Sequence, residues 1–368
     1  MSQEVFFELL RAGLWEKDVQ LSAYGRIDFG QVMRLAQEQS VVGVVAAGLE
    51  HVVDKSIPKT LVLRLVGQTV QMEQRNQAMN AFIGTFVEKM RKEGIEALLL
   101  KGQGIAQCYE RPLWRTAGDV DLLPGSKYYE KAKAFALPLA SRVETEGAYQ
   151  MHLPLFIDGW EVELHGTLRT KLSAGVDKVI DEIQADMLER GKVRTWMNGG
   201  TPVQLPGADE DAFYIFIHFL KHFYRGGLGL RQICDWCRLL LTYRDVIDAS
   251  LLEKRLRKAG LMTEWVAFGA FAVDYLGMPA DAVPFYSSEK KWQRKARRIC
   301  AFVMMSGNFG NNRDNSYYAK YPYLIRKAIS MFRRMGDNMR HSVMFPWDSF
   351  RFFFYVTLCG VRSAANGE

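Results

Sequence analysis

Apolar residues in the first quarter of the chain recur three and four positions apart, with polar residues between them. This spacing is typical of amphipathic α-helices. The longest segment of this kind runs over 60–92. Pro58 suits the start of that helix because its fixed φ matches a first helical turn, and Gly94 suits its end. The pattern predicts a helical region over 1–92.

The pattern then changes to short apolar runs of three to six residues, which is typical of strands. The runs occur at 95–100, 120–123, 153–157, 160–164, 193–197 and 203–205. Asp158-Gly159 separates two of them, and Asn198-Gly199-Gly200 separates the last pair, so both positions predict β-hairpins. Helical patterns at 103–109 and 128–139 fall between strands. We therefore expect a small mixed sheet with helices over 93–207.

From residue 208 the helical spacing returns and continues to the end of the chain. The predicted helices cover 210–223, 229–243, 251–258, 262–275, 287–305, 322–334 and 349–360. The resulting prediction is an α+β protein of three parts. N-terminal and C-terminal helical regions, 1–92 and 208–368, flank an α/β core over 93–207.

Composition adds an environment and a class of partner to this picture. The 368 residues are 48% hydrophobic and carry a net charge of +7, which excludes a disordered chain and favours an anionic partner. A nucleotide, a nucleic acid and an acidic surface all fit, although nucleic acid is not favoured. Five cysteines do not form a disulfide framework, and we expect no secretory signal and no transmembrane segment. These features favour a cytoplasmic protein.

The first candidate chemistry lies on the strand predicted at 120–123. Asp119 and Asp121 are one residue apart, so they share a face of the strand, while Val120 and Leu122 point to the opposite face and into a core. Two adjacent carboxylates repel each other unless a cation lies between them. Oxygen ligands in this arrangement suit Mg²⁺, with Mn²⁺ as the alternative.

A third acid follows on the strand predicted at 160–164. Glu161, Glu163 and His165 share one face of that strand. We select Glu163 as the functional acid and read Glu161 as a neighbour that faces solvent. If this strand lies beside the Asp119 strand, three carboxylates converge, and such a set holds two Mg²⁺ ions and activates a hydroxyl group for attack on a phosphate. His165 would contact the substrate or orient Glu163.

Candidate phosphate contacts precede the aspartates. Lys101-Gly102-Gln103-Gly104 links a strand to a helix, where glycine lets the backbone approach a ligand closely, but it is not a P-loop because the required motif is absent. Arg115 could bind a phosphate oxygen through a charge-assisted hydrogen bond, and Thr116 follows it. The alternative role for Arg115 is an ion pair with one of the two aspartates.

Downstream residues have mainly structural interpretations. His218 and His222 are one helical turn apart but lack the glutamate of a zinc-protease motif, so we read them as neutral histidines in the core or beside the substrate. Arg231 and Asp235 have the spacing of an intrahelical ion pair, which could border the active cleft.

Three motifs together resemble a known superfamily. Lys101-Gly102, the segment 115–123 and the segment 162–165 are similar to the motifs of nucleotidyltransferases of the polymerase β type. The resemblance is closer to the uncharacterised bacterial nucleotidyltransferases and more distant to the nucleotidyltransferase toxins of toxin–antitoxin systems. It extends loosely to 217–222, 230–236 and 307–310.

The resemblance implies a nucleoside triphosphate donor, with ATP as the first choice, and an acceptor that the sequence does not identify. It implies metal binding and catalysis by Asp119, Asp121 and Glu163. The predicted nucleotide contacts are Lys101, Gly102, Gln103, Arg115, Thr116 and His165.

One position departs from the superfamily pattern. Gln103 stands where a small hydroxyl residue is expected, and the gap to Asp119 is long. We therefore keep two alternatives to nucleotidyl transfer. A sugar-nucleotide glycosyltransferase also uses an Asp-x-Asp pair, and a non-catalytic relative would bind nucleotides in a regulatory role.

Overall fold

The structure of the chain is a computed structural model that describes residues 1–146, 151–310 and 321–365. The N-terminal region is helical, as predicted. Its α-helices are α1 (Ser2–Trp15), α2 (Phe29–Glu38), α3 (Val42–Glu50) and α4 (Lys59–Lys92). The side chain of Asp28 caps α2 by accepting a hydrogen bond from the backbone N–H of Gln31. Gly94 follows α4 with a φ of 66°, which fits its predicted role as a helix terminator.

The central region contains the predicted strands with three helices between them, two of which were predicted. Its elements are β1 (Leu98–Leu100), α5 (Gly102–Ala106), β2 (Val120–Leu123), α6 (Gly125–Ala136), β3 (Arg142–Val143), β4 (His152–Ile157), β5 (Trp160–His165), α7 (Ala174–Leu188), β6 (Val193–Asn198) and β7 (Thr201–Pro206). Five strands form one mixed sheet in the order β1-β2-β5-β4-β3. Strands β2 and β5 are parallel, and the other neighbours are antiparallel.

Two features of the central region differ from the expectation. Strands β6 and β7 form a separate two-stranded sheet instead of joining the mixed sheet. The structure also adds β3 and α7, for which the sequence analysis made no prediction. Strand β3 has only two residues, and both are exposed, so it carries no apolar alternation by which to recognise it.

The C-terminal region is helical, as predicted. Its α-helices are α8 (Ala208–Arg225), α9 (Leu230–Thr242), α10 (Ala249–Ala259), α11 (Met262–Leu276), α12 (Lys290–Ser306), α13 (Tyr323–Met344) and α14 (Pro346–Ala365). Among the helices of the described part of the chain, none combines the length and the apolar composition needed to cross a membrane.

The five-stranded sheet lies between two apolar clusters. One face, with Leu99, Val120 and Leu122, packs against α4 and α6. The opposite face contributes Leu100 and Leu123 to a larger cluster that includes residues of α8 and α9. Because side chains alternate along a strand, Asp121 lies on the same face as Leu123, towards α8. The expected α+β fold is therefore confirmed.

The first and last helical regions share one core. Phe7 of α1 contacts Tyr275 of α11 with ring centroids 5.7 Å apart, and the indole N–H of Trp15 donates to the carbonyl oxygen of Leu276 at 2.6 Å. Helices from the first and third predicted parts therefore pack together in one apolar cluster. The division of the chain into 1–92, 93–207 and 208–368 stays a prediction.

Candidate active site

The parallel pairing of β2 with β5 brings the predicted acids together. Asp121 is the register partner of Glu163, and Val120 and Leu122 pair with Val162 and Leu164. The apolar partners lie on the buried face, so the two carboxylates project side by side from the other face. Asp119 comes just before β2 and joins them. One ligand oxygen from each of the three acids lies within 4.8 Å of the others.

Lys101 reaches this carboxylate cluster from the turn after β1. Its ammonium group lies 2.8 Å from Oδ1 of Asp121. The turn is unusual, because Lys101 and Gly102 have φ values of 45° and 47°. This region costs a non-glycine residue about 1–3 kcal/mol of strain, whereas glycine adopts it freely. The strained turn directs Lys101 back towards the neighbouring strand β2.

Two histidines complete the polar contacts of the cluster. Nε2 of His165 lies 2.9 Å from Oδ1 of Asp121 and 3.4 Å from Oε2 of Glu163. His152, at the start of β4, contacts the same glutamate oxygen at 3.0 Å. The two imidazole rings stack with centroids 4.7 Å apart. His165 therefore contacts both Asp121 and Glu163, and its role, in orienting Glu163 or in contacting the substrate, stays a prediction.

The charges in the cluster perturb one another. The charge of Asp121, together with burial, raises the pKa of Asp119. Burial acts to raise the pKa of Glu163, but the hydrogen bonds with His152 and His165 outweigh it and hold that pKa well below its usual value. Burial acts to lower the pKa of Lys101, but the carboxylate of Asp121 more than offsets this effect, so its pKa is raised. Lys101 therefore stays charged at neutral pH.

The donor set of the cluster suits a hard divalent cation. The side chain of Asp121 is only 1% exposed. Its Oδ2 atom is buried and accepts no hydrogen bond from any described residue, which is a costly state for a carboxylate oxygen without a partner. Three carboxylates with one such oxygen match the all-oxygen coordination of Mg²⁺ or Mn²⁺. The described residues therefore fit a metal of this class.

A smaller cavity with an empty volume of about 480 Å³ lies on the Asp121 side of the cluster. Its lining carries three cationic and three carboxylate side chains. Residues that line it include Lys101, Gly102, Arg115, Asp119, Asp121 and Arg231. Three of the six predicted nucleotide contacts, Lys101, Gly102 and Arg115, thus border one space with both aspartates.

Arg115 is already engaged within this smaller cavity. Its Nε and Nη2 atoms donate to the two carboxylate oxygens of Asp235 at 2.8 and 2.6 Å, and its Nη1 donates to the carbonyl oxygen of Thr116 at 3.2 Å. The alternative that paired Arg115 with Asp119 or Asp121 is therefore wrong. The carboxylate that binds it comes from α9, where a bidentate contact fixes the guanidinium plane.

Gln103 and Thr116 have different surroundings from the other predicted nucleotide contacts. The amide of Gln103 is 2% exposed and donates to Oδ1 of Asn76 on α4 at 3.0 Å. Its side chain therefore lies in the core beside α4. The carbonyl oxygen of Thr116 accepts hydrogen bonds from Arg115 and from Arg231. Their roles as nucleotide contacts stay predictions.

A larger cleft, with an empty volume of about 900 Å³, opens on the Glu163 side of the cluster. Lys101, Asp119 and His218 border both spaces. Helix α8 forms one wall of the cleft, because Tyr214, His218, Lys221 and His222 recur on one helical face. Burial lowers the pKa of His218 far below its usual value and that of His222 to about 3. Both histidines are thus neutral, as the sequence suggested.

The segment after β5 forms the opposite wall of the larger cleft. Thr167, Arg169 and Thr170 line the cleft from this segment. The backbone N–H of Thr170 donates to Oδ1 of Asp177 at 2.9 Å, and its carbonyl oxygen accepts from Arg225 of α8 at 2.9 Å. These contacts connect the wall to α7 and α8, so the shape of the cleft is fixed by the fold.

Sequence reasoning missed His152 and Lys221 as site residues. His152 is the register partner of His165, and the alternation of His152-Leu153-Pro154-Leu155 carries the signal that places it on the polar face. Lys221 could be found from the spacing of Tyr214, His218 and Lys221 on α8, which repeats every three to four residues. Neither signal identifies the facing strand by itself.

Comparison with known proteins places this site within a family. The sequence profile described as "Uncharacterised nucleotidyltransferase" matches residues 25–277, a range that contains the carboxylate cluster and both spaces beside it. No curated protein matches the chain. The chain has 13% sequence identity and a TM-score of 0.33 to the solved structure of an antigenic nucleotidyltransferase-like protein from Paracoccidioides brasiliensis, over 54% of this chain and 92% of that chain. The profile covers well over half of the residues, so the protein belongs to the uncharacterised nucleotidyltransferase family.

Proposed function

We propose that this nucleotidyltransferase moves a nucleoside monophosphate from a nucleoside triphosphate to a hydroxyl group of an acceptor. ATP is the first choice for the triphosphate. The observation that carries the proposal is the carboxylate cluster of Asp119, Asp121 and Glu163, with ligand oxygens within 4.8 Å of one another. The lysine beside it and the two spaces on either side fit a charged donor and a separate acceptor.

In this reaction the hydroxyl oxygen of the acceptor attacks the α-phosphorus of the triphosphate. The new P–O bond forms as the bond between the α-phosphorus and the bridging oxygen breaks, and pyrophosphate leaves with the electron pair of the broken bond. A divalent cation at the carboxylates would supply charge neutralisation for the phosphates. Lys101 and the smaller cavity would bind the triphosphate, because they place positive charge next to both aspartates.

We assign Glu163 the role of a metal ligand, with Asp119 and Asp121. A general base works best with a pKa near the working pH, whereas histidine contacts hold the pKa of Glu163 far below that range. The proton of the attacking hydroxyl group then passes to water in the open cleft. His152 and His165 are positioning residues, because they fix the orientation of the Glu163 carboxylate.

Family membership favours nucleotidyl transfer over glycosyl transfer from a sugar nucleotide. The glycosyltransferase alternative accounts for the Asp-x-Asp pair but does not require Glu163 beside it. The arrangement of three carboxylates therefore supports nucleotidyl transfer more directly than the two aspartates alone would.

The test uses triphosphates labelled at the α- or at the γ-phosphorus, with Mg²⁺ and a cell extract as the source of acceptors. We expect α-label, and not γ-label, to appear in a product, together with release of pyrophosphate. Asp119→Asn and Asp121→Asn should each reduce transfer about 100-fold or more. Asp245→Asn, at an exposed aspartate remote from the cluster, is the matched control and should retain activity. Failure of the wild-type chain to bind any triphosphate with metal present would overturn the proposal.

A further inference from the structure

The two spaces beside the carboxylate cluster contact different acids. Gly102 and Asp121 border the smaller cavity, Glu163 borders the larger cleft, and Asp119 borders both. In-line displacement at phosphorus places the attacking and leaving oxygens on opposite sides of the reacting atom. If the triphosphate occupies the smaller cavity, the acceptor must approach from the larger cleft.

Beyond the cluster, the larger cleft presents hydrogen-bond donors. Thr167 supplies a hydroxyl group from one wall, and Tyr214 and Lys221 line the cleft from α8. The hydroxyl of Thr170 on the same wall is already engaged, because it donates to Asp177 at 3.4 Å. Apart from Asp119 and Glu163, the described lining residues of the cleft include no carboxylate. A lining of this kind is complementary to an anionic group.

Lys221 provides positive charge in the part of the larger cleft beyond the carboxylate cluster. Arg169 is held by Asp181 at 2.6 Å, and Lys101 is held by Asp121. No carboxylate in the described part of the chain lies within ion-pair distance of Lys221, which is nevertheless partly buried. A partly buried ammonium group without an anion is costly, and a bound anion would remove that cost.

We propose that the acceptor is a small hydroxyl compound that carries a phosphate group, and that this phosphate binds in the larger cleft against Lys221 and Thr167. The inference rests on the proposed function, since it assigns the acceptor class of the same site. The cleft holds the phosphate at one end, and the acceptor hydroxyl then reaches the α-phosphorus at the carboxylate cluster. The space of about 900 Å³, which includes open solvent at the mouth of the cleft, leaves room for a small compound of this kind.

The test measures binding to the full chain saturated with Mg²⁺ and a non-hydrolysable triphosphate analogue, which fills the donor side. Calorimetric titrations with glycerol 3-phosphate, glycerate and glycerol compare a phosphate, a carboxylate and a neutral member of one series. We expect glycerol 3-phosphate to bind about 10- to 100-fold more tightly than glycerol, as a charge-assisted contact provides. Equal binding of glycerol, tighter binding of glycerate, or no binding of glycerol 3-phosphate would overturn the proposal.

Variants then locate the contact. Lys221→Gln should remove most of the preference for the phosphate, and Lys221→Arg should retain it, while the affinity for the triphosphate analogue stays unchanged in both. Lys178→Gln, at an exposed lysine of α7 outside the cleft lining, is the control and should leave all affinities unchanged. A preference for the phosphate that persists in Lys221→Gln would show that the group binds elsewhere.

The experiment separates this inference from the proposed function. A chain that fails to bind the triphosphate analogue contradicts both. A chain that binds the analogue but does not discriminate between glycerol 3-phosphate and glycerol contradicts the acceptor class alone.

Discussion

The two spaces beside the carboxylate cluster differ in how their cations are held. In the smaller cavity, Arg115 is bound through two hydrogen bonds to Asp235, and the hydroxyl of Tyr109 donates to the same carboxylate at 2.8 Å. In the larger cleft, Lys221 is partly buried without a carboxylate partner among the described residues. The first set of charges is built into the fold, and the second is available to a ligand.

This contrast indicates which measurement should respond to each substitution. Removing a group that the fold has already paired leaves a buried charge and lowers stability. Removing a side chain that has no carboxylate partner in the fold and contacts the ligand lowers the affinity for that ligand, and it has little effect on the free energy of unfolding. The comparison is therefore tested by measuring stability and binding in parallel for variants on both sides.

The largest effect is expected for Asp235→Ala. This variant leaves the buried guanidinium of Arg115 and the hydroxyl of Tyr109 without their acceptor. We expect the free energy of unfolding, measured with urea, to fall by about 3–5 kcal/mol. Asp245→Ala, at an exposed position, serves as the control and should change it by less than about 0.5 kcal/mol. A loss below about 1 kcal/mol for Asp235→Ala would mean that the smaller cavity is not held by this pair.

The local part of the site could be predicted from the sequence. The alternation at 119–123 predicts which side chains enter the core and which face the site, and the structure confirms this for Val120 and Leu122. The hairpin at Asp158-Gly159 also follows from two residues, and the structure places it between β4 and β5. Patterns of this kind are set by neighbours along the chain.

The long-range part could not be predicted in the same way. The partner of Arg115 lies 120 positions away, whereas spacing along the chain suggests only the nearby aspartates. The parallel pairing of β2 with β5 does not follow from the sequence, because periodicity does not reveal which strands are neighbours. Strands β6 and β7 have good strand patterns, yet nothing in them shows that they form their own sheet.

Gln103 illustrates both limits, and its substitution gives the next prediction. Its position after the glycine suggests a contact with phosphate, but its side chain donates to Asn76 in the core. Gln103→Ser, which supplies the hydroxyl expected in the superfamily, should lower the free energy of unfolding by about 1–3 kcal/mol because Asn76 loses its donor. The affinity for Mg²⁺-triphosphate should stay within about twofold of the wild-type value, because a side chain in the core makes no contact with the triphosphate that the substitution could remove. A clear gain in triphosphate affinity would instead assign this side chain to the smaller cavity.

The smallest expected effect is a change of phosphate affinity with pH. It distinguishes the two spaces because the larger cleft depends on a lysine, whereas the smaller cavity also contains arginines. Burial, together with the charges of Arg225 and Lys101, lowers the pKa of Lys221 from 10.5 to about 8. The ammonium group therefore loses its proton as the pH rises through 8, and the larger cleft loses positive charge. The arginines of the smaller cavity stay charged over the same range. Phosphate binding should weaken above pH 8, while triphosphate binding should not.

Other titratable and charged groups around the larger cleft must be considered in this experiment. They are Lys101, Asp119, Asp121, His152, Glu163, His165, Arg169, His218, His222 and Arg225. The pKa of His222 is about 3 and that of His218 is lowered, so both stay neutral above pH 7. Lys101 stays charged because its pKa is raised. His165 has a raised pKa through its hydrogen bonds with Asp121 and Glu163, which outweigh burial, and its titration must be separated from that of Lys221.

Calorimetric titration of glycerol 3-phosphate between pH 7 and 9.5, at a constant concentration of the triphosphate analogue, makes this separation. A phosphate monoester is already fully ionised there, since its second pKa is about 6. We expect its affinity to fall about tenfold across the range. Lys221→Gln should give a flat profile, and Lys178→Gln should follow the wild type. If the decrease persists in Lys221→Gln, a group other than Lys221 titrates over this range, and the contrast between the two spaces does not rest on α8.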